Sequence, residues 1–115
     1  MRILLVDDLD ESREIAEAAL LSAGYSDVVL AKSGREALRL MDTWHPVDLV
    51  LLDIMMPTMD GIETCTHIRK NARHTNLPII MLTTIDNMDA VADAFIAGAT
   101  TTLRSRLRAL SWSRA

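Results

Sequence analysis

The sequence predicts an α/β fold with three layers, in which a doubly wound parallel sheet of five strands is covered by helices on both faces. Two observations carry this prediction. Short apolar runs of strand length alternate with segments whose apolar residues recur at helical spacing. Runs such as residues 3–6 and 49–52 are apolar throughout, as in strands buried on both faces. Because 115 residues suffice for one core but not two, we expect a single domain over residues 1–115.

Five strands are expected at the apolar runs. We place them at residues 2–6, 27–31, 48–52, 78–82 and 100–104. The intervals between them have helical period, so strands and helices alternate along the chain. In open sheets of this kind, ligands bind beyond the carboxyl ends of the strands, at the point where the strand order reverses. The residues that follow each strand are therefore the first candidates for a functional site.

Capping signals set the helix boundaries. The first helix runs from about residue 10 to residue 23, with Asp10 as its N-cap and Gly24 as the left-handed residue after its end. The second opens with Ser33-Gly34-Arg35-Glu36, a capping box in which Ser33 accepts from a backbone amide and Glu36 reaches back. The third helix follows Asp60-Gly61, the fourth spans about 86–97 and ends at Gly98, and a short last helix covers about 106–115.

Three carboxylates follow two of the predicted strands. Asp7 and Asp8 end the first apolar run, and Asp53 ends the third. Acids gathered at one edge of a sheet repel each other unless a hard divalent cation lies between them, and Mg²⁺ prefers such oxygen ligands. We expect Asp8 and Asp53 to bind the metal directly and Asp7 to act through a water. Coordination keeps Asp53 ionised and nucleophilic, and Thr83 can donate its hydroxyl to a phosphoryl oxygen.

Composition and charge indicate which kinds of partner the protein is expected to bind. The net charge of −4 and the pI near 5.2 argue against nucleic acid as the main partner. The single cysteine, Cys65, allows no intramolecular disulfide and fits a reducing cytoplasm. The N-terminal apolar run is too short for a signal peptide or a membrane span. We therefore expect a soluble cytoplasmic protein that contacts neither nucleic acid nor membrane.

The motifs resemble those of a known family. Val6-Asp7-Asp8, Asp53 with Met55-Met56-Pro57, Asp60-Gly61 and Leu82-Thr83 look like the receiver (CheY-like) domain of two-component response regulators. The resemblance covers residues 1 to about 99, and it implies the flavodoxin-like strand order 2-1-3-4-5. It also implies a phosphoacceptor rather than an enzyme with turnover, although such a domain can catalyse its own Mg²⁺-dependent phosphorylation and dephosphorylation.

The same resemblance implies a role for each matching residue. Asp53 would accept a phosphoryl group from a histidine kinase or phosphotransfer protein, and a separate downstream effector would receive the signal. The implied Mg²⁺ ligands are Asp7, Asp8, Asp53 and the backbone carbonyl of Met55. Thr83 would be the switch hydroxyl, Thr84 would offer a backbone amide to the phosphoryl group, and Pro57 and Gly61 would shape the loop.

The tail at residues 100–115 departs from the family pattern. After Gly98-Ala99 the family usually continues with an aromatic switch residue and then a Lys-Pro pair, whereas this chain has Thr102, Ser105 and Arg106 at those places. The lysine that normally pairs with the acids is therefore missing at Ser105. Weak coupling between phosphorylation and conformational change is expected to follow.

A single-base deletion near codon 99 would explain this departure. Residues 100–107 can be encoded so that another reading frame spells Asp-Tyr-Leu-Thr-Lys-Pro-Phe, the strand that the family leads one to expect. The gene sequence tests this hypothesis, because codons incompatible with the second reading would end it. Whatever its origin, a short last helix leaves apolar surface open, so we expect a homodimer or a tail-swapped dimer.

Two other functions remain open at this stage. One is a degenerate receiver that folds and associates without signalling, which the missing lysine favours and the intact acids oppose. The other is a metal-dependent phosphatase with an aspartyl nucleophile, similar to haloacid-dehalogenase-like enzymes. Those enzymes carry a general acid two residues after the nucleophile, where this chain has Met55, so turnover on small substrates is not expected.

Overall fold

Five parallel strands form one sheet in the computed structural model, which describes residues 1–43, 46–83 and 88–104. The strands are β1 (Ile3–Val6), β2 (Val28–Ala31), β3 (Leu49–Asp53), β4 (Ile79–Thr83) and β5 (Thr101–Arg104). Their order across the sheet is β2-β1-β3-β4-β5. The predicted fold class and strand order are therefore confirmed, including the fifth strand in the atypical tail.

The strand ends differ from the prediction by one residue, and the difference matters at the site. Each strand begins one residue later than expected, and β3 and β4 each continue one residue further. Asp53 and Thr83 are consequently the last residues of their strands instead of the first residues beyond them. The sheet ladder explains the extension, because Asp53 pairs in register with Leu82 and Thr83 pairs with Arg104.

Helices connect the strands in the expected positions. They are α1 (Asp10–Ser22), α2 (Gly34–Thr43), α3 (Gly61–Arg69) and α4 (Met88–Ala97), and a 3₁₀ turn lies at Ala72–His74. Gly24 and Gly98 follow α1 and α4 with φ of 98° and 109°, the left-handed conformation that glycine adopts most readily. Ser33 accepts a 3.1 Å hydrogen bond from the amide of Glu36, as the capping box predicts. The predicted last helix and the start of the predicted fourth helix lie outside the described residues.

Asp10 does not cap α1, so this prediction is wrong. The N-cap is Leu9, whose extended backbone precedes the helix and whose carbonyl accepts the Arg13 amide at 3.0 Å. Asp10 is the first helical residue, and its exposed carboxylate accepts a hydrogen bond from the guanidinium of Arg13. This hydrogen bond and the charge of Arg13 lower the pKa of Asp10. Asp10 does not cap the helix because its carboxylate pairs with Arg13, one turn further along α1, and not with the backbone amides at the helix start.

The core lies on both faces of the central strands. Every residue of β1 is buried, whereas the edge strand β2 is mostly half-buried. Cys65 of α3 is fully buried and belongs to this core. Among the described residues, none of the helices combines the length and the apolar character that crossing a bilayer would require.

Candidate metal centre

An acidic cluster lies at the carboxyl edge of the two central strands. Asp7 and Asp8 follow β1, Asp53 ends β3, and the two strands are neighbours with Val6 paired to Leu52. One carboxylate oxygen from each of the three acids lies within 4.8 Å of the others. Asp7 and Asp53 are only 5% and 2% exposed. The structure thus brings together the three acids that the sequence analysis selected.

Backbone amides orient two of these carboxylates. The amide of Met55 donates to Oδ1 of Asp53 at 3.1 Å, and the amide of Leu9 donates to Oδ1 of Asp7 at 3.0 Å. In both cases the donor lies two residues after the acid, so the loop that leaves the strand turns back over the carboxylate. This local turn is a preferred conformation of aspartate and holds the side chain at the strand end.

The loop after Asp53 is closely fitted to the strand. The amide of Gly61 donates to the carbonyl of Ile54 at 2.9 Å, which returns the chain to the sheet at the start of α3. Within the loop, the amide of Met59 donates to the carbonyl of Pro57 at 2.8 Å, and Thr58 adopts a φ of 68°. This is a tight three-residue turn with a left-handed centre, an uncommon conformation for a β-branched residue. The structure therefore places Pro57 and Gly61 at the two constrained points of the loop.

Thr83 reaches the same edge from the neighbouring strand. It is 1% exposed, and its hydroxyl has no hydrogen-bond partner among the described residues. A buried hydroxyl without a partner costs free energy, so a group that accepts a hydrogen bond from Thr83 would be stabilised at this position. Asp53 pairs with Leu82, which places Thr83 one residue beyond the level of Asp53. Thr84 and Ser105 lie outside the described residues.

The donor set suits a hard divalent cation. All three cluster members are carboxylates, which match Mg²⁺ or Mn²⁺ better than the histidine and cysteine ligands typical of zinc sites. The buried hydroxyl of Thr83, which has no hydrogen-bond partner in the part of the chain that the structure describes, adds a possible donor at the same edge. The residues present therefore fit the metal that the sequence analysis expects.

Two polar residues of α1 join the site without having been selected from the sequence. Ser12 is 3% exposed and its hydroxyl donates to Oδ2 of Asp7, while Arg13 is 7% exposed and donates from Nη1 to the backbone carbonyl of Asp7 at 2.9 Å. Their position in the first turn after the acids was the available signal. A serine and an arginine at a helix start are usually solvent-facing, so this signal is weak.

Comparison with known proteins places the chain in a family. Residues 3–108 match the family model described as "Response regulator receiver domain". The match continues past residue 99, up to which the sequence motifs resemble the family, and includes part of the atypical tail. The chain is 43% identical over 97 residues to the transcriptional regulatory protein YrkP of Bacillus subtilis, an alignment that covers 84% of this chain and 39% of that protein.

Two solved structures support the same assignment. The chemotaxis protein CheY4 of Vibrio cholerae superposes with a TM-score of 0.83 at 30% identity, covering 98% of this chain and 96% of that one. The Mn²⁺-bound form of response regulator Rcp1 superposes with a TM-score of 0.78 at 26% identity, covering 90% of this chain and 81% of that one.

The curated relatives are much longer than this chain. The chain spans between 32% and 50% of the length of the curated relatives it matches first. With the sheet order, the acidic cluster and the family model in agreement, the chain belongs to the response regulator receiver domain family of two-component systems.

Proposed function

We propose that Asp53 accepts a phosphoryl group, in a Mg²⁺-dependent transfer, from a histidine kinase or a phosphotransfer protein. The observation that carries this proposal is the cluster of Asp7, Asp8 and Asp53, with oxygens within 4.8 Å of one another at the carboxyl edge of β1 and β3. Asp53 is the acid contributed by the strand next to Thr83, so it is the best placed nucleophile.

Mg²⁺ would be held by Asp8 and Asp53 directly, by Asp7 through a water, and by the backbone carbonyl of Met55. When bound, it would neutralise the charge that develops on the transferring phosphoryl group. Support comes from the all-carboxylate donor set and from the relative Rcp1, whose structure is described as Mn²⁺-bound. The two metals share octahedral geometry and oxygen ligands, so Mn²⁺ is a fair probe for a Mg²⁺ site.

The protein residues have separate tasks in the transfer. A carboxylate oxygen of Asp53 forms the new bond to phosphorus, while the bond between phosphorus and the donor's histidine nitrogen breaks and its electron pair leaves with the nitrogen. The amide of Met55, which donates to Oδ1 of Asp53, fixes the carboxylate for this in-line approach. The hydroxyl of Thr83 donates to a phosphoryl oxygen and thereby gains a partner that it lacks among the described residues.

The output would pass through protein contacts to a downstream effector. Two of these relatives are named as transcriptional regulators and the third as a response regulator, and all three are about two to three times longer than the matched region. An effector can therefore be a separate protein or another part of a longer one. The net charge of −4 supports a receiver that does not itself bind nucleic acid. Homodimerisation and a cytoplasmic location remain predictions of the same proposal.

Neither alternative gains support from the site. A phosphatase of the haloacid dehalogenase type would need a general acid two residues after the nucleophile, and Met55 cannot donate a proton there. A degenerate receiver remains distinguishable only by activity, because the acids and Thr83 are all in place while the family's lysine position, Ser105, holds a serine.

Intact-mass measurement tests the proposal. The wild-type chain is incubated with a small acyl phosphate and Mg²⁺, beside Asp53→Asn and the matched control Asp48→Asn, an exposed aspartate at the other end of the same strand region. We expect the mass of one phosphoryl group on wild type and Asp48→Asn only, and only with Mg²⁺. Labelling of Asp53→Asn would refute the assignment of the acceptor, and no labelling of a folded wild type would establish the degenerate receiver.

A further inference from the structure

We infer that Ser12 is a positioning residue for the metal site, acting through the carboxylate of Asp7. This inference rests on the proposed metal-dependent phosphoacceptor function. Asp7 accepts hydrogen bonds on both oxygens, from the amide of Leu9 to Oδ1 at 3.0 Å and from the hydroxyl of Ser12 to Oδ2. Two donors on two oxygens fix the rotation of a carboxylate that would otherwise swing about its Cβ–Cγ bond.

The hydroxyl of Ser12 is committed to Asp7. A serine hydroxyl has one proton to donate, and a second acceptor among the described residues, the carbonyl of Leu9, lies 3.5 Å away. The carboxylate is both nearer and charged, and hydrogen bonds to ionised acceptors are the stronger ones. Ser12 is also 3% exposed, so water does not compete for the proton as it would on an open helix surface.

The hydrogen bond from Ser12 to Asp7 links the start of α1 to the edge of the sheet where the metal would bind. Asp7 follows β1 and Ser12 lies in the first turn of α1, so the hydroxyl ties the helix start to the strand end. Arg13 reinforces the tie by donating from Nη1 to the backbone carbonyl of Asp7 at 2.9 Å. Ser12 therefore helps to orient the ligand carboxylate together with the Leu9 amide, whereas Arg13 holds the backbone.

Residues that hydrogen-bond to a metal-binding side chain influence the affinity of the site for the metal. Groups that hydrogen-bond to a metal ligand orient it, and their removal typically weakens metal binding by about 10- to 100-fold. Asp7 is the acid expected to act through a metal-bound water, so loss of its orientation should act at the lower end of that range. We expect Ser12→Ala to weaken Mn²⁺ binding roughly tenfold.

The first experiment is a Mn²⁺ titration of the full chain, with free Mn²⁺ followed by electron paramagnetic resonance. Ser12→Ala removes the donor, Ser12→Cys keeps the size but leaves only a weak S–H donor, and Ser12→Thr keeps the hydroxyl. Ser33→Ala is the matched control, because it also removes a serine that bonds at a helix start, here to the Glu36 amide at 3.1 Å. Weak binding by the alanine and cysteine variants, with wild-type binding by Ser12→Thr and Ser33→Ala, supports the inference.

A kinetic measurement separates positioning from general loss of structure. Labelling of Asp53 is followed at several Mg²⁺ concentrations, with thermal unfolding of each variant measured in parallel. Ser12→Ala should need about ten times more Mg²⁺ for half-maximal rate, while its rate at saturating Mg²⁺ stays within about twofold of wild type. A variant that had merely lost structure would lose the saturated rate as well.

The outcomes also separate this inference from the proposed function. A wild-type chain that binds no Mn²⁺ would remove the metal site itself and with it the proposed transfer. A wild-type chain that binds Mn²⁺ and is labelled, with Ser12→Ala and Ser12→Cys unchanged in both affinity and Mg²⁺ requirement, would overturn only the role of Ser12.

Discussion

A β-carbon on Gly61 would lie 2.2 Å from the backbone carbonyl oxygen of Asp53 and 2.7 Å from the α-carbon of Ile54. Both neighbours are backbone atoms, so neither can move aside as the end of a flexible side chain would. Gly61 has an ordinary negative φ, and its requirement for glycine is therefore one of space and not of backbone conformation. The first turn of α3 is packed directly against the residue that we propose as the phosphoryl acceptor.

Gly61→Ala should consequently disturb both stability and the site. We expect a loss of about 1–3 kcal/mol in the free energy of unfolding, because the added methyl forces the loop away from the end of β3. Displacement of Asp53 should also weaken Mn²⁺ binding. Urea unfolding and Mn²⁺ titration measure the two effects.

Gly24→Ala serves as the control for that substitution. A β-carbon there meets nothing within 4 Å, but φ is 98°, so we expect a cost of about 1 kcal/mol from backbone strain alone. Its Mn²⁺ affinity should equal that of the wild type. Equal loss of affinity in both variants would contradict a local effect of Gly61.

Charge at the acidic cluster predicts opposite effects of Asp53→Asn with and without metal. Three carboxylates with oxygens within 4.8 Å repel each other, so neutralising one should raise the metal-free free energy of unfolding by about 1 kcal/mol. Asparagine retains an Oδ1 acceptor for the Met55 amide, so local geometry is preserved. Mg²⁺ at a hundred times its Kd should stabilise the wild type by about 2.7 kcal/mol and the variant by much less. Thermal unfolding of both proteins is measured with a chelator and with Mg²⁺. The variant should be the more stable protein in chelator, and the wild type should gain more stability from Mg²⁺.

The ion pair at the start of α1 predicts a pH dependence of stability. Arg13 lowers the pKa of Asp10 below its usual 3.8, so the stabilisation is fully present above that value and is lost as the pH falls through the lower pKa of the folded state. Asp10→Asn should therefore be less stable than the wild type at pH 7, and the difference should vanish in strong acid. Urea unfolding across that pH range measures it. A difference that persists unchanged in acid would mean that the pair is not the cause.

Burial of Cys65 predicts a protected thiol. Enclosure in the core raises the pKa of Cys65 above 9.0, and the thiolate is the reactive form. Because the folded pKa is the higher one, this group favours folding below the unfolded pKa and loses that contribution as the pH rises through the folded value. Iodoacetamide at pH 8 should modify the native protein far more slowly than the urea-unfolded chain. Equal rates would show that α3 opens readily.

Arg69 lies away from the acidic cluster, yet we expect its substitution to lower the free energy of unfolding substantially. Its guanidinium donates to the carbonyls of Gly98, His74 and Leu77 at 2.9, 2.7 and 2.6 Å. Removing it leaves several partly buried carbonyls without their donor, so Arg69→Met should cost about 2–3 kcal/mol in urea unfolding. Arg69→Lys should recover little, because an ammonium cannot reach the same acceptors as a planar fork. The adjacent exposed Lys70→Met is the control and should change stability by less than about 0.5 kcal/mol.

The fold and the acid cluster were predictable because each depends on a short and strong pattern. Apolar runs that end in Asp7 and Asp53 define both a buried strand and its chemically active end, and parallel pairing brings those ends together. The errors arose where a side chain chooses between partners. Asp10 is of a residue type that often caps helices, yet its carboxylate accepts a hydrogen bond from the guanidinium of Arg13 instead. The bond from Ser12 to Asp7 has no sequence pattern of its own, because it depends on the angle between β1 and α1.

The central position of β1 has a consequence for how the protein is made. β1 pairs with β2 on one side and with β3 on the other, and β3 emerges from the ribosome long after β1. The first two acids of the cluster therefore leave the ribosome well before the third, and they can share an ion only once β3 has docked. Parallel pairing of this kind is slow because a long loop must close first. Capture of a divalent ion would thus mark the moment during synthesis when the first three strands have come together.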